Sequence, residues 1–452
     1  MQTLTIRLRT RTPLWTGGID GSMDRIHETG LLGSLRWWYE AIVRGLGGWA
    51  CDPSRHTCSF DAEKYRKSTA SDERQRLRDA GLCDACQVFG ATGWKRRFRL
   101  EVRTLEGEFD VTEGMFPSGR IHSNRVGGWL LRGGYHGELE LKLTGDKEVL
   151  WCEILPVLLF VEKWGALGAK TSLGYGVFEI LSINGHHKEA GQCWRELLRE
   201  NKGIPPLDFQ QCSSRIGQWW WVGKLSSSNQ YQGILPALTN MFFAKVRFSP
   251  DDSNWWEQFK EVQWINQDKI PQSEAIRTDH KKQTPKDFYK IPNKLSFDRL
   301  QHWAEYHATF PISPILRTRL RYGPHSVCKG NGESDWCKFV FGTVKKNRIQ
   351  SKIRISWAYQ INDQEWEIRL WGWIPEDKNH HMRTSLLQNM RDVFGVNISE
   401  AHHQWHPTQN AQLWKDLHLP NPEICWYEIK SDESPETYLQ ELLNCDCKKS
   451  AS

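Results

Sequence analysis

Four cysteines have a spacing that could do chemistry. Cys51, Cys58, Cys83 and Cys86 read C-x6-C, a gap of 24 residues, then C-x2-C. The closing C-x2-C is the spacing zinc favours, and four thiolates can staple a segment that has little core of its own. His56 can replace one ligand, because the first pair is loosely spaced. A structural zinc ion is the expectation, and four reduced packing cysteines are the alternative. In a reducing cell interior the twelve cysteines of the chain are not expected to pair as disulfides. The histidines of "AHHQWHP", His402, His403 and His406, have no cysteine or carboxylate pattern to complete a metal site and read as surface or packing residues.

A second stretch, "EKWGALGAKTSLGYG" at 162–176, carries Gly165, Gly168, Gly174 and Gly176 with Lys163 and Lys170. Such glycines permit positive φ and close backbone approach, while bare amides and two ammonium groups suit phosphate oxygens. The GK[ST] ending of a Walker loop is absent, and the glycines follow a helix instead of opening one, which excludes a dinucleotide fingerprint. A plain glycine-rich connection is the alternative. No G-x-S-x-G, H-E-x-x-H or kinase set is present.

The elements that must hold these residues can be read from periodicity. MQTLTIRLRTRTPLW alternates Leu4, Ile6 and Leu8 with polar residues and predicts a half-buried strand, without the apolar core of a signal peptide. Residues 13–30, PLWTGGIDGSMDRIHETG, read as an ordered loop, and LLGSLRWWYEAIVRGLGG places Leu31, Leu35, Trp38, Ile42 and Leu46 on one helical face. Residues 48–90 fit neither period and read as an insertion. WKRRFRLEV and LRGGYHGELELKLTG predict strands, VLWCEILPVLLFVEKWG a helix, and YGVFEILSIN a closing strand. This order is the βαββαβ ferredoxin-like unit that RNA-recognition modules also use.

Residues 201–215 suit a linker. Beyond it QWWWVGKL, strand-like SPILRTRLRYG, KIRISWAYQ and WEIRLWGWIP, and helix-like FDRLQHWAEYHATF and MRTSLLQNMRDVFG make a second α+β set. "CQVFGATGWKRRFRLEV" and "CKFVFGTVKKNRIQSKIRISW" share a course of cysteine, Phe-Gly, basic loop and basic strand, which supports duplication. The expected architecture is α+β with two related domains, 1–200 and 216–452, the first carrying the insertion at about 48–90. The balance of 60 Lys and Arg against 54 Asp and Glu gives only +6, so any anion-binding face must be local. Tryptophan is the outlier, with 24 copies: most are expected in the core and a minority as stacking platforms for bases. No apolar run approaches the roughly 20 residues of a spanning helix. A cytoplasmic protein without a membrane partner is expected.

Four motifs in order, "PLWTGG", "GLLGSLRWWYEA", "CDACQVFG" and the glycine loop, closely resemble the RAMP proteins of type III CRISPR effector complexes, in particular the first-subunit family of the Cmr (type III-B) complex. The second half resembles them more loosely, through "FVFGTVKKNRIQSKIRISW". The resemblance implies a subunit that binds guide RNA, and through it target RNA, near the guide 3′ end, beside other Cmr-type subunits and without catalysis. Matching positions make Arg36, Gly168, Lys170, Gly174 and Gly176 phosphate contacts, together with Lys163 in the same loop. Lys95, Arg96 and Arg97 in the first basic loop and Lys345, Lys346 and Arg348 in the second complete that set. An ion pair for Arg36 and solvated charge for the basic loops are the alternatives. Asp20 and Asp24 lie near where backbone RAMP subunits place the aspartate for target cleavage, and His27 is the available histidine for a nuclease. An endoribonuclease is therefore the rival reading.

Overall fold

The computed structural model describes residues 1–18, 21–52, 57–122, 125–188, 194–199, 235–260, 265–266, 295–328, 335–343, 349–375, 380–396, 404–408, 411–419, 422–443 and 448–449. The first half runs β1 (Gln2–Thr10), α1 (Glu28–Gly45), three short helices α2 (Ala62–Lys67), α3 (Glu73–Asp79) and α4 (Asp84–Phe89), β2 (Phe98–His122), β3 (Arg125–Gly145), α5 (Leu155–Trp164) and β4 (Phe178–Ile183). The sheet order is β4-β1-β3-β2, antiparallel throughout. Leu4, Ile6 and Leu8 pair with Leu143, Leu141 and Leu139, and all six side chains are buried. The period-2 pattern thus places one face of the sheet on the core.

The β2–β3 hairpin is far longer than its apolar pattern. It bends at register shifts between Thr104 and Gly107, Asp110 and Glu113, and Pro117 and Ile121. At the first shift Gly107 faces Gly137, where a Cβ on either residue would meet a carbonyl oxygen across the hairpin at 2.2 or 2.1 Å. Only glycine lets the two strands approach this closely.

After α6 (Trp194–Arg199), the second half contains β5 (Met241–Phe248), β6 (Ile265–Asn266), α7 (Phe297–His307), β7 (Thr309–Phe310), α8 (Ser313–Arg321) and α9 (Asp335–Phe341). There follow β8 (Ile353–Ile355), β9 (Ala358–Gln360), β10 (Trp366–Trp373), α10 (His380–Phe394), β11 (Gln404–Pro407), α11 (Gln412–Asp416), β12 (Glu423–Glu428), α12 (Pro435–Leu443) and β13 (Lys448–Lys449). At the centre of the second sheet β12, β5, β10 and β9 lie side by side and antiparallel, with β8 also on β10. β6 adds to the first sheet, parallel to β2. The echoing segments share a local course: α4 and α9 each end in Phe-Gly, with Gly90 and Gly342 at φ 88° and 82°, and the chain then enters β2 or β8.

Three expectations are corrected. SPILRTRLRYG is a helix: Pro314 sits in its first turn and Leu316 and Leu320, one turn apart, are buried. The alternating arginines that resembled a strand edge include Arg317 and Arg319, and both are buried. Residues 48–90 contribute to the main core, through Ala50, Leu77, Leu82, Ala85 and Val88. Cysteine pairing also departs from expectation, because Cys328 and Cys337 form a disulfide, and Cys152 and Cys425 are disulfide-bonded as well. QWWWVGKL and the linker at 201–215 lie outside the described residues. No helix among the described residues is long and apolar enough to cross a membrane.

The glycines separate by what surrounds them. Gly33 is exposed on α1 with nothing within 4 Å of a built Cβ. Gly33→Ala is expected to stabilise the protein by about 0.5–1 kcal/mol, and Gly137→Ala to destabilise it by on the order of 2–3 kcal/mol through overpacking and strain. Urea unfolding midpoints of the two variants beside wild type check both signs.

Candidate functional site

The four cysteines converge. The loop after α1 brings Cys51, the loop before α2 brings Cys58, and Cys83 caps α4, whose first turn carries Cys86. All four are buried, and their sulfurs lie within 4.8 Å of one another, with Cys51 and Cys86 at 3.7 Å. The amides of Cys83 and Cys86 point at the sulfurs of Cys58 and Cys83, at 3.5 and 3.4 Å. Three neighbouring thiols donate to Cys51 and hold it far below its ordinary value, while sharing that charge pushes Cys58, Cys83 and Cys86 up. A cluster this dense and buried is a set of ligand atoms that could hold one metal ion, and a tetrahedral dication suits four sulfurs.

Arg36 belongs to this cluster. Its guanidinium donates to Glu40 Oε1 at 2.8 Å, to the Gly90 carbonyl at 3.4 Å and to the Cys86 sulfur at 3.2 Å, and reaches the Cys51 sulfur at 4.0 Å. The ion pair weighed as its alternative is present. A cation beside clustered thiolates offsets their charge and orients them as an outer partner.

The glycine loop packs between the two halves of the chain. Its amides turn inward: Leu167 N bonds Gly176 O, Ala169 N bonds Trp15 O, and Gly176 N bonds Pro13 O, at 2.8–2.9 Å. Its carbonyls grip the second half. Leu173 O accepts from Ser313 Oγ at 2.9 Å and Trp357 Nε1 at 2.8 Å, and Ser172 O accepts from Arg317 Nη2 at 2.7 Å. Gly174 adopts φ 96°, and a Cβ there would lie 2.5 Å from the Trp357 ring and 2.7 Å from its backbone nitrogen. Gly168 and Gly176, at φ 80° and 87°, pack as tightly against backbone carbonyls.

The predicted cations scatter around this seam. Lys170, itself at φ 57°, lays its ammonium 4.2 Å from the Trp15 ring; burial and the nearby Arg132 push it down to about 8. Lys163 lies 5.8 Å from the Trp164 ring. Lys95 is exposed, Arg96 donates to the Phe98 carbonyl at 2.6 Å, and Arg97 pairs with Asp146 at 2.8 Å. Asp24 bonds His27 at 2.7 Å; a backbone hydrogen bond first, and then this one, hold its carboxyl below the usual range. Asp20, His56, Lys345, Lys346, Arg348, His402 and His403 lie outside the described residues; His406 sits on β11.

Sequence reasoning missed a denser group beside the loop. Arg317, Lys352 and Arg354 are buried, and among the described residues none has a carboxylate partner. Arg317 donates to Ser351 Oγ at 2.5 Å and Ile353 O at 2.8 Å, and Arg354 to Ser351 O at 2.7 Å and Thr171 Oγ1 at 3.4 Å. The Lys352 ammonium lies 3.5 Å from the Phe339 ring, and the Arg354 guanidinium 5.0 and 5.7 Å from Trp373 and Trp37. Burial and mutual repulsion push Arg317 down to about 9 and Lys352 to about 8, and burial alone holds Arg354 at about 10. The one available signal was the basic strand KIRISW.

The model of the RAMP superfamily matches residues 7–179 of the chain. Solved structures it is similar to include Cmr1 from Pyrococcus furiosus in its apo form, at 11% identity and TM-score 0.36 over 87% of this chain and 97% of that one. A chain of the type III-B Cmr-beta complex bound to cognate target RNA is similar at 13% identity and TM-score 0.34, over 86% and 99%. Cmr6 from Pyrococcus furiosus is similar at 15% and TM-score 0.21, over 40% and 98%. The comparison with curated proteins gives no match.

An ion held by the four cysteines would couple the stability of the protein to its presence. Treating the protein with a strong chelator is expected to lower its melting temperature, with recovery on adding zinc. Cobalt loaded in place of zinc is expected to show thiolate charge-transfer absorption, lost in Cys83→Ser.

Proposed function

We propose that the protein is a non-catalytic RNA-binding subunit of a type III-B (Cmr) CRISPR effector complex in the cytoplasm, contacting guide RNA or the guide–target duplex near the guide 3′ end and docking to other Cmr-type subunits. The observation that carries the reading is the set of buried cations without carboxylates. Burying an unpaired charge is costly, and an anion from outside the chain removes that cost. RNA phosphates supply such anions without sequence preference, while Trp15, Trp37 and Trp373 stand beside the cations as aromatic faces.

The RAMP match over 7–179 and the four sequence motifs support the assignment to this class. The strand orders support two ferredoxin-like domains with a cysteine-bearing insertion: β4-β1-β3-β2 in the first half is repeated by β12-β5-β10-β9 in the second. Zinc at Cys51, Cys58, Cys83 and Cys86 serves as a staple in this reading. One contact favours the endoribonuclease reading, because the His27–Asp24 bond orients an imidazole as a general base would need. RNA cleavage by the purified chain, abolished in His27→Ala or Asp24→Ala, would establish it in place of ours.

Binding of single-stranded RNA across a salt series tests the proposal. Lys170→Ala and Lys352→Ala are each expected to weaken binding and to make the salt slope shallower by about one phosphate. Equal slopes in wild type and both variants sink it. Both lysines have their values lowered to about 8, so each carries its charge below that pH and loses it above. RNA affinity is therefore expected to fall as pH rises from about 7 to about 9 at constant salt, with a smaller fall in the double variant.

A further inference from the structure

A second group of ligand atoms shares no residue with the cysteine cluster or the buried cations. Glu108 is on the β2–β3 hairpin of the first half, and His302 and His307 are on α7 of the second. His307 Nε2 is 2.9 Å and His302 Nε2 3.8 Å from Glu108 Oε1, and the three ligand atoms all lie within 4.8 Å of one another. Ligand atoms around a tetrahedral zinc ion stand roughly 3.3 Å apart, as bonds of about 2.0–2.1 Å require. The two observed distances to Glu108 bracket that value.

The surroundings fix the histidines. His307 ends α7, and Ala308 after it turns to φ 49°, so the helix stops where that imidazole faces the hairpin. Its ring stacks on His136 of β3 at 3.9 Å and 18° between planes, while Tyr306 packs on His302 at 4.6 Å. His136 is buried, and its Nε2 has no hydrogen-bond partner among the described residues. Asp110 of the same hairpin accepts from Trp303 Nε1 and from Arg299, each at 2.6 Å, so its carboxylate is already occupied, while Glu108 faces the histidines. Glu108 and His302 retain access to solvent, with side-chain exposures of 53% and 31%.

We propose that Glu108, His302 and His307 bind a divalent transition-metal ion of the zinc type, with water completing its coordination, and that this ion ties the β2–β3 hairpin of the first half to α7 of the second. Two imidazoles and a carboxylate are a ligand set that zinc accepts, with an open position for water. The binding site requires both halves of the chain, so the ion stabilises the assembled form and not the separated elements. The proposal does not depend on RNA binding, nor on the cysteine cluster.

Zinc titration of the chelator-treated full-length protein, in competition with a chromophoric zinc indicator, tests it. Wild type is expected to take up one zinc equivalent more than Glu108→Gln or His302→Gln, whose altered side chains are partly exposed and leave the cysteine cluster intact. Cobalt-loaded wild type is expected to show weak visible bands that both variants lose, while any thiolate charge-transfer absorption stays unchanged. Identical zinc stoichiometry and affinity in wild type and both variants would overturn the proposal and leave an ordinary histidine–glutamate ion pair.

Discussion

The contact on which the rest depends is the capture of Trp357, Ser313 and Arg317 by the carbonyls of residues 172–174. Peptide carbonyls at the end of a tight loop cannot be left dry and unpaired, and here side-chain donors from the other half satisfy them. The requirement runs in both directions. The Trp357 indole N–H and the Arg317 guanidinium are buried and need acceptors of their own. The glycine at 174 then follows from geometry, because its φ and its distance from Trp357 leave no room for a Cβ.

Around that contact the halves exchange core residues. Met241, Phe243, Trp371, Tyr427 and Tyr438 join the core of the first sheet, while Trp15, Phe116, Leu131 and Tyr175 join that of the second. Aromatic rings carry much of the junction, with Tyr175 on Trp357 at 5.1 Å, Phe160 on Phe243 at 5.4 Å and Trp164 on Tyr427 at 4.7 Å. The tryptophan-rich composition has this packing as its main outlet, for Trp151, Trp164, Trp303, Trp357, Trp371 and Trp414 are fully buried. Arginines near the junction then face aromatic rings and backbone carbonyls where carboxylates would ordinarily stand, which creates the unpaired cations that the RNA reading uses.

What was legible in the sequence followed the range of each interaction. Local periodicity located β1, α1, α5 and β4, since Leu4, Ile6 and Leu8, or Leu31 and Leu35, report their own burial. The cysteine cluster was legible because C-x2-C fixes its second pair within one turn. α8 was not, because buried Arg317 and Arg319 imitate the polar face of a strand. The partners of the glycine loop lie 140 to 184 residues away in sequence, and Glu108 lies 199 from His307, so no spacing could announce either meeting. Arg36 shows the converse: its Glu40 partner, one helical turn on, was visible, while the cysteine sulfurs across the fold were not.

The exchange of core residues has a thermodynamic consequence. A half separated from its partner would expose the apolar side chains it lends across the junction, and would leave the donors and carbonyls of the 172–174 loop to water. Each half has most of a core of its own but lends buried side chains to the other, so loss of one weakens the other. In a calorimeter the chain should absorb heat in one cooperative transition, with equal van't Hoff and calorimetric enthalpies, although its topology repeats itself.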